Sequence, residues 1–194
     1  MTEATRWAAP AVLAVYDFSR FRTVVDVGGG NGTLLGALLA ANPGLRGTIF
    51  DLPSGVAGAR PHLEAAGLAD RCEVVSGDFF ADPLPSGGDA YVLKSVIHDW
   101  DDDRSRAILE NCRRAMPAYG RLLIIEPVVP AKVDGSPAHR MMVLSDLNML
   151  AVTGGRERTE PEFRVLLASA GFRLARVVPA QPPSNFSVIE ALPD

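Results

Sequence analysis

The stretch Thr23-Val-Val-Asp-Val-Gly-Gly-Gly-Asn-Gly-Thr33 decides how this chain folds. Val24, Val25 and Val27 are β-branched and favour a buried strand. Four glycines follow within five residues, and glycine tolerates positive φ and lets a ligand approach the backbone closely. The apolar run 33–41 predicts a helix whose N-terminal amides face this turn. The pattern therefore predicts a strand, a glycine turn and a helix.

A carboxylate stands at the end of the next predicted strand. The run 47–51 ends in Asp51, which is suited to accept hydrogen bonds from ribose hydroxyls. A dinucleotide fingerprint needs Gly-x-Gly-x-x-Gly, but counting from Gly28 or from Gly30 a larger residue occupies the last position. The form present is Asp-x-Gly-x-Gly-x-Gly, which begins at Asp26. These features predict an adenosine-ligand site on a Rossmann-like sheet, and not a dinucleotide site.

Composition limits the remaining classes. With 194 residues, 47% hydrophobic and 22% charged, the chain can bury one sizeable core as a single soluble domain. Its net charge of −4 argues against a nucleic-acid surface. No stretch approaches the length of a membrane span, and residues 1–6 lack the apolar core of a signal peptide. Cys72 and Cys112 have neither metal-type spacing nor a disulfide framework, so we expect reduced thiols in a cytoplasmic protein.

Strand and helix patterns alternate along almost the whole chain. Such βα units predict an α/β fold, a Rossmann-like doubly wound, mostly parallel sheet that ends in an antiparallel hairpin. We expect residues 1–22 to form a helical lead-in and residues 23–194 to form the domain. Helices are predicted at 3–15, 32–41, 54–66, 101–116, 140–151 and 160–170, and strands at 23–27, 47–51, 72–76, 90–94, 121–126, 172–178 and 186–191.

The segment Leu93-Lys-Ser-Val-Ile-His-Asp-Trp-Asp-Asp-Asp103 follows the fourth predicted strand, at the sheet edge where site residues concentrate. Its His98-Asp-Trp100 triplet and the glycine turn resemble the S-adenosylmethionine-dependent O-methyltransferases of the plant caffeic acid and isoflavone type and their bacterial polyketide-tailoring relatives. The resemblance covers about residues 11–192. The other matching motifs are Phe50-Asp-Leu-Pro53, Ser76-Gly-Asp-Phe-Phe80, Lys94, Asn111-Cys112, Glu126 and Gly154-Gly-Arg-Glu-Arg-Thr159.

The resemblance implies methyl transfer to a hydroxyl of a small aromatic or polyketide-type secondary metabolite. In that family the histidine corresponding to His98 is the general base, and carboxylates corresponding to Glu126 and Glu157 accompany it. Removing the proton of a phenol suits an imidazole, because its unperturbed pKa is near neutral. A carboxylate that accepts the other ring N–H would fix the tautomer and stabilise the imidazolium. Holding the oxygen in line with the methyl group would supply the remaining rate.

The resemblance also implies S-adenosylmethionine as the cofactor and assigns its contacts. Gly28 and Gly30 would pass beside the methionine moiety, and Asp51 would bind the ribose, with Leu52 next to it. Asp78 would accept from the adenine amine while Phe79 packs on the ring, and Lys94 would lie near the ligand's polar edge.

Acceptor-binding roles are implied for Asp99, Asn148 and Met149. For Asn148 and Met149, core packing on a helix remains an equal alternative. A metal site at Asp101-Asp-Asp103 is not expected, because acidic residues at a helix start serve capping and the helix dipole.

Family members carry a helical N-terminal domain that forms the dimer and contributes to the acceptor pocket. This chain begins about twenty residues before its first predicted strand. We therefore expect Trp7, Val12 and Leu13 of the first helix to be exposed and to need a homodimer, the N-terminal domain or a partner chain as cover.

Two alternatives to an O-methyltransferase stay open. One is a same-fold relative that keeps the cofactor but performs other chemistry, as certain anthracycline hydroxylases of this type do. The other is a non-catalytic cofactor-binding chain within a complex. The intact set of His98, Glu126 and Glu157 favours the methyltransferase, since hydroxylation needs no such base.

Overall fold

The structure, a computed structural model, describes residues 2–182 and 184–194. None of the helices in these two ranges combines the length and apolarity that crossing a bilayer requires. The helices are α1 (Thr2–Val15), α2 (Thr33–Ala41), α3 (Pro53–Val56), α4 (Ala59–Ala65), α5 (Asp102–Ala115), α6 (Pro137–Val152) and α7 (Glu160–Ser169), with 3₁₀ turns at Ala69–Arg71 and Ile97–Asp99. The strands are β1 (Thr23–Val27), β2 (Arg46–Asp51), β3 (Cys72–Ser76), β4 (Ala90–Lys94), β5 (Arg121–Val129), β6 (Arg158–Thr159), β7 (Phe172–Pro179) and β8 (Phe186–Pro193).

The strands form one sheet in the order β3-β2-β1-β4-β5-β8-β7, and the short β6 pairs with the end of β5. Strands β1 to β5 run parallel, whereas β8 is antiparallel to both β5 and β7. The chain runs outward from β1 to β3 and then returns to β4 on the other side of β1. This confirms the predicted doubly wound, mostly parallel sheet with a C-terminal antiparallel hairpin.

Alternation along the strands divides the core between the two faces of the sheet, because successive side chains of a strand point to opposite faces. Helices α5 and α7 cover one face, and α1, α2 and α4 cover the other. The first cluster contains Val25, Tyr91, Leu93, Ile124, Ile108 and Phe163. The second contains Val24, Val92, Leu123, Val12, Leu35 and Leu63. Both free cysteines are buried within these layers.

Three elements differ from the sequence prediction. β5 does not close at Pro127 but continues to Val129, because beyond Ile125 it pairs with β8 and then with β6. Proline is tolerated where its missing N–H is not needed by the ladder. The helix predicted over 54–66 is interrupted at Gly58, where glycine weakens helix continuation. The two-residue β6 had no pattern of its own.

The expectation that α1 exposes its apolar residues is wrong for Val12, which is completely buried, while Leu13 is partly buried. The side chain of Trp7 lies outside the described residues. Helix α1 packs on α2 and on β8, which accounts for this burial. Large exposed apolar side chains instead concentrate on α6, at Met141, Val143, Leu144, Leu147, Leu150 and Val152.

Candidate active site

A pocket of about 180 Å³ opens at the carboxyl ends of β1, β2 and β4. This is the point where the chain changes direction across the sheet, and open α/β sheets bind their ligands at such points. Three strand ends, the start of α2 and one residue of α1 contribute to its wall. The lining residues are Thr5, Asp26, Gly28, Gly29, Gly30, Asn31, Thr33, Leu34, Asp51 and Lys94.

The glycine turn forms the floor of this pocket. Gly28, Gly30 and Gly32 all have positive φ, at 74°, 55° and 78°, a conformation that other residues rarely adopt. The amide of Gly28 donates to the carbonyl of Phe50 at 2.7 Å, which holds the turn against β2. A Cβ atom at Gly28 would lie 2.7 Å from Val96, whereas one at Gly30 would meet no atom within 4 Å. The backbone at Gly30 is therefore open to a ligand.

Asp51 is anchored by backbone amides on both carboxylate oxygens. Oδ2 accepts from the amide of Gly30 at 2.8 Å, and Oδ1 accepts from the amide of Leu52 at 2.7 Å. Each carboxylate oxygen has a second lone pair, so the group can also accept hydroxyl donors from the pocket. Leu52 itself is 48% exposed at the rim. The carboxylate thus has a fixed orientation towards the pocket.

The loop after β3 carries Asp78 and Phe79 and places Phe79 beside the glycine turn. Asp78 accepts from the amide of Phe80 at 2.8 Å, and the ring of Phe79 would lie 3.9 Å from a Cβ atom at Gly28. The buried amide of Asn111 supports the loop by donating to the carbonyl of Phe79 at 2.9 Å. Phe79 therefore lies beside the glycine turn, although neither Asp78 nor Phe79 is among the residues that line the pocket.

Asp26 and Lys94 are two buried ionisable residues in the pocket wall. Asp26 is 2% exposed, and its Oδ2 has no hydrogen-bond partner within the described residues. Burial, followed by the charge of Asp51, raises the pKa of Asp26 to about 7. Burial lowers the pKa of Lys94, although Asp26 and Glu126 oppose that shift. An unpartnered carboxylate in a pocket wall fits a cationic group of a ligand.

His98 lies in the turn that follows β4. This turn begins with Ser95, whose φ of 54° is unusual for a residue other than glycine. Glu126 is fully buried, and its Oε1 accepts from the amides of both Val96 and His98 at 3.1 Å. Burial raises the pKa of Glu126 to about 7. Glu126 therefore holds the backbone of the turn, and the sequence had not distinguished this position from that of Glu157.

Glu157 contacts the imidazole ring itself. Its Oε1 lies 3.3 Å from Nδ1 of His98 and also accepts from the hydroxyl of Ser145 at 2.8 Å. With the proton on Nδ1, Nε2 has its lone pair free, and it lies 3.7 Å from Asp99. Burial lowers the pKa of His98, but Glu157, Glu126 and Asp99 outweigh burial, so the net pKa is raised above its ordinary value.

The remaining sequence predictions concern two acceptor residues and a helix cap. Asn148 and Met149 lie on α6, the helix that carries Ser145, with Asn148 exposed and Met149 partly buried. Asp101 caps α5 by accepting from the amide of Arg104 at 2.8 Å, as its position at a helix start predicts.

Asp26 in the pocket wall and two residues around the His98 turn were not found from the sequence as site residues. Gly155 lies against the backbone of the His98 turn, and the buried side chain of Arg158 donates to carbonyls of the same turn. Their signal was present in the Gly-Gly-Arg-Glu-Arg-Thr motif, but only Glu157 was given a role there.

The comparison with protein families identifies the class of the chain. Residues 1–173 match the O-methyltransferase domain family, and the chain belongs to that family. It is 50% identical over 195 residues to O-demethylpuromycin-O-methyltransferase of Streptomyces alboniger, covering 100% of this chain and 51% of that protein. It is also 42% identical to aclacinomycin 10-hydroxylase of Streptomyces purpurascens, covering 97% of this chain and 50% of that protein. The chain thus spans about half the length of the curated relatives it matches.

A solved structure agrees with this assignment. The fold superimposes with a TM-score of 0.89 and 38% identity on an O-methyltransferase from neocarzinostatin biosynthesis, crystallised with S-adenosylmethionine and 2-hydroxy-5-methyl naphthoic acid. All of this chain and 55% of that one are covered. The fold is that of the class I methyltransferases.

Proposed function

We propose that the chain is the catalytic part of an O-methyltransferase that transfers a methyl group from S-adenosylmethionine to a hydroxyl of a small aromatic or polyketide-type secondary metabolite. The observation that carries the proposal is the contact of His98 Nδ1 with Glu157 at 3.3 Å, on the turn directly after the strand that ends at the cofactor pocket. The relatives named for methylation of such acceptors support the substrate class.

The pocket residues fit S-adenosylmethionine. Its ammonium matches the unpartnered Oδ2 of Asp26, and its ribose hydroxyls match the anchored carboxylate of Asp51. Gly30 leaves the backbone open, and Lys94 adds a cation beside Asp26 that balances charge in the wall. Asp78 and Phe79 would take the adenine. When bound, the cofactor supplies a methyl group activated by its sulfonium.

His98 would act on the acceptor hydroxyl. Nδ1–H faces Glu157, so Nε2 is the atom that removes the proton as the new bond forms. Glu157 fixes the ring and stabilises its protonated form, while Glu126 holds the main chain on which the ring stands. Acceptor contacts from Asp99, Asn148 and Met149 remain part of the proposal.

Substitution of His98 tests this function. His98→Gln should slow methyl transfer to a phenolic acceptor by about 100- to 10,000-fold, because positioned general-base catalysis contributes that much. Affinity for S-adenosylhomocysteine, measured by calorimetry, should barely change, since Asp26 and Asp51 hold the cofactor. His139→Gln is the matched control, because His139 pairs with Asp134 at an exposed site. A decrease of only about two-fold would contradict the role of His98 as the general base. Tight binding of NADH would contradict the assignment of S-adenosylmethionine as the cofactor.

A hydroxylase-like activity is the second candidate, because aclacinomycin 10-hydroxylase is 42% identical to this chain. The two candidates differ in product, which mass spectrometry resolves as an added methyl group or an added oxygen. The third candidate is a non-catalytic cofactor-binding chain. It predicts cofactor binding without either product for the chain and for its assembly with any partner.

We also propose that a second surface covers α6. The exposed fractions of Met141, Leu144, Leu147 and Leu150 lie between 55% and 65%, and their three-residue spacing makes each one a neighbour of the next on the helix surface, in an apolar row that winds around the helix. Residues 1–22 would be the lead-in from a region that supplies this cover, either by homodimer formation or by association with an N-terminal domain or partner chain. The relatives, about twice as long, support such a region.

A further inference from the structure

The segment 154–159 crosses the His98 turn at unusually short range. A Cβ atom added at Gly155 would lie 2.0 Å from the carbonyl oxygen of His98, 2.5 Å from the carbonyl carbon of Asp99 and 2.7 Å from the nitrogen of Trp100. All three are backbone atoms, so no side-chain rotation can relieve the clash. The next residue, Arg156, donates its amide to the carbonyl of His98 at 2.9 Å. Glycine is therefore required here by space.

The buried side chain of Arg158 also holds this turn by hydrogen bonds. Its guanidinium donates to the carbonyls of Ile97 at 3.1 Å and Trp100 at 2.9 Å, on the two sides of His98. It also donates to the hydroxyl of Ser105 at 3.3 Å and pairs with Asp102 at 2.8 Å. Arg158 is only 1% exposed, and a buried charge is tolerated only when it is paired and hydrogen-bonded.

With these contacts, the amide, the carbonyl and the ring of His98 each have a partner. Glu126 holds the amide of His98, Arg156 holds its carbonyl, and Glu157 contacts its ring. Glu157, which contacts the ring, lies in the chain between Gly155 and Arg158, which contact the turn, so the fit of this segment against the turn sets the distance between the ring and the carboxylate. A shift of the turn away from this segment would lengthen the contact between the ring and Glu157 and displace the ring relative to the cofactor pocket.

We propose that Gly155 and Arg158 are positioning residues that set the distance between His98 and the reacting hydroxyl, a proposal that rests on the proposed function. Gly155 permits the close crossing, and the planar fork of Arg158 matches the carbonyls and the carboxylate in a way that a lysine cannot. Neither residue lines the cofactor pocket, so both act through the turn that carries His98.

Gly155→Ala is the primary test. To reach normal van der Waals contact at about 3.5 Å, the His98 turn must retreat by about 1.5 Å. A misplacement of about 1 Å lowers rates by about 100-fold, so we expect kcat to fall between about 30- and 300-fold. Affinity for S-adenosylhomocysteine should change less than about two-fold. Gly44→Ala is the matched control, because a Cβ atom there meets no atom within 4 Å.

The second readout is the titration of the His98 imidazole by NMR, which needs no turnover. The groups facing His98 are Glu157, Glu126 and Asp99, and the ring's pKa is raised by them in the parent. In Gly155→Ala the Glu157 contact lengthens, so the pKa should move down towards the ordinary histidine value. Arg158→Lys should act in the same direction, with the exposed Arg164→Lys as its control.

Two results would overturn the proposal. One is an unchanged kcat and an unchanged His98 titration in Gly155→Ala. The other is a loss of activity in proportion to the number of cofactor-binding sites that calorimetry counts. The kcat per binding site would then be unchanged, and the role of the residue would be merely structural. If neither the parent chain nor its assembly with the covering region transfers a methyl group, the proposed function fails separately, and the titration of His98 still decides whether the segment positions the turn.

Discussion

Replacing Glu157 by glutamine should separate the two tasks of the His98 partner. The amide oxygen of glutamine can still accept the Nδ1–H, so the tautomer is preserved, but the negative charge 3.3 Å from the ring is lost. Unit charges about 4 Å apart interact by about 4 kcal/mol at an effective dielectric of 20. The His98 side chain is 12% exposed and that of Glu157 is 1% exposed, so solvent screens only part of this interaction.

We therefore expect the pKa of His98 to fall in Glu157→Gln, because the variant loses the nearby negative charge that favours the imidazolium. Only the neutral imidazole can act as a base. In the parent, activity should fall as pH decreases through the raised pKa of His98, above the ordinary value of about 6.5. In the variant this acid limb moves to lower pH, and the plateau rate drops by about 10-fold because a weaker base accepts the proton.

The assay is a profile of kcat against pH between 5 and 9 with a phenolic acceptor and saturating cofactor. Asp134→Asn is the matched control, because it removes the exposed carboxylate 2.7 Å from the ring of His139 and should leave the profile unchanged. An acid limb that stays in place in Glu157→Gln, or moves to higher pH, would refute the assignment of Glu157 as the charge partner of His98.

Three further outcomes are expected. Asp51→Ala should weaken cofactor binding by about 1–3 kcal/mol in calorimetry, because the ribose and the amide of Gly30 both lose an acceptor, and unchanged affinity would remove Asp51 from the site. Because the pKa of Asp26 is raised to about 7, the free energy of unfolding should fall as pH rises from about 4 to about 7. In urea unfolding, Asp26→Asn should remove about 1–4 kcal/mol of this decline. The same pH dependence in parent and variant would contradict the prediction. Leu147→Asp should reduce association in light scattering, whereas Val165→Asp, at a more exposed apolar position on α7, should not; a fully active monomeric parent would argue against any need for cover.

The sheet was predictable because its strands are short β-branched runs bounded by turn signals. β1, β3 and β4 begin and end where the sequence predicts. The extension of β5 was not predictable, because Pro127 normally closes a strand and only the pairing with β8 shows that its N–H is not needed. Val12 was misjudged for a related reason. Its burial depends on α2 and β8, which are distant in sequence.

Part of the candidate site could also be predicted from the sequence, and part could not. Residues that follow strand ends, such as Asp51 and His98, could be found from the sequence because topology brings the carboxyl ends of parallel strands to one edge. The different contacts of Glu126 and Glu157 could not, since both are carboxylates near one histidine and only geometry assigns one to the backbone and the other to the ring. Arg158 was missed because a charged residue is normally exposed.

The charges around His98 explain how a buried imidazole can serve as a base near neutral pH. Burial alone would hold the ring neutral and make it a poor proton acceptor, whereas Glu157, Glu126 and Asp99 favour its protonated form. Glu126, with a pKa of about 7, stands on the backbone side and limits the negative charge that the cluster holds before reaction. In the proposed reaction the proton of the acceptor moves onto Nε2. The carboxylate of Glu157, already in contact with Nδ1, then stabilises the imidazolium. The rigid hold of segment 155–158 on the turn therefore serves the electrostatics as well as the geometry, because both depend on the same 3.3 Å contact.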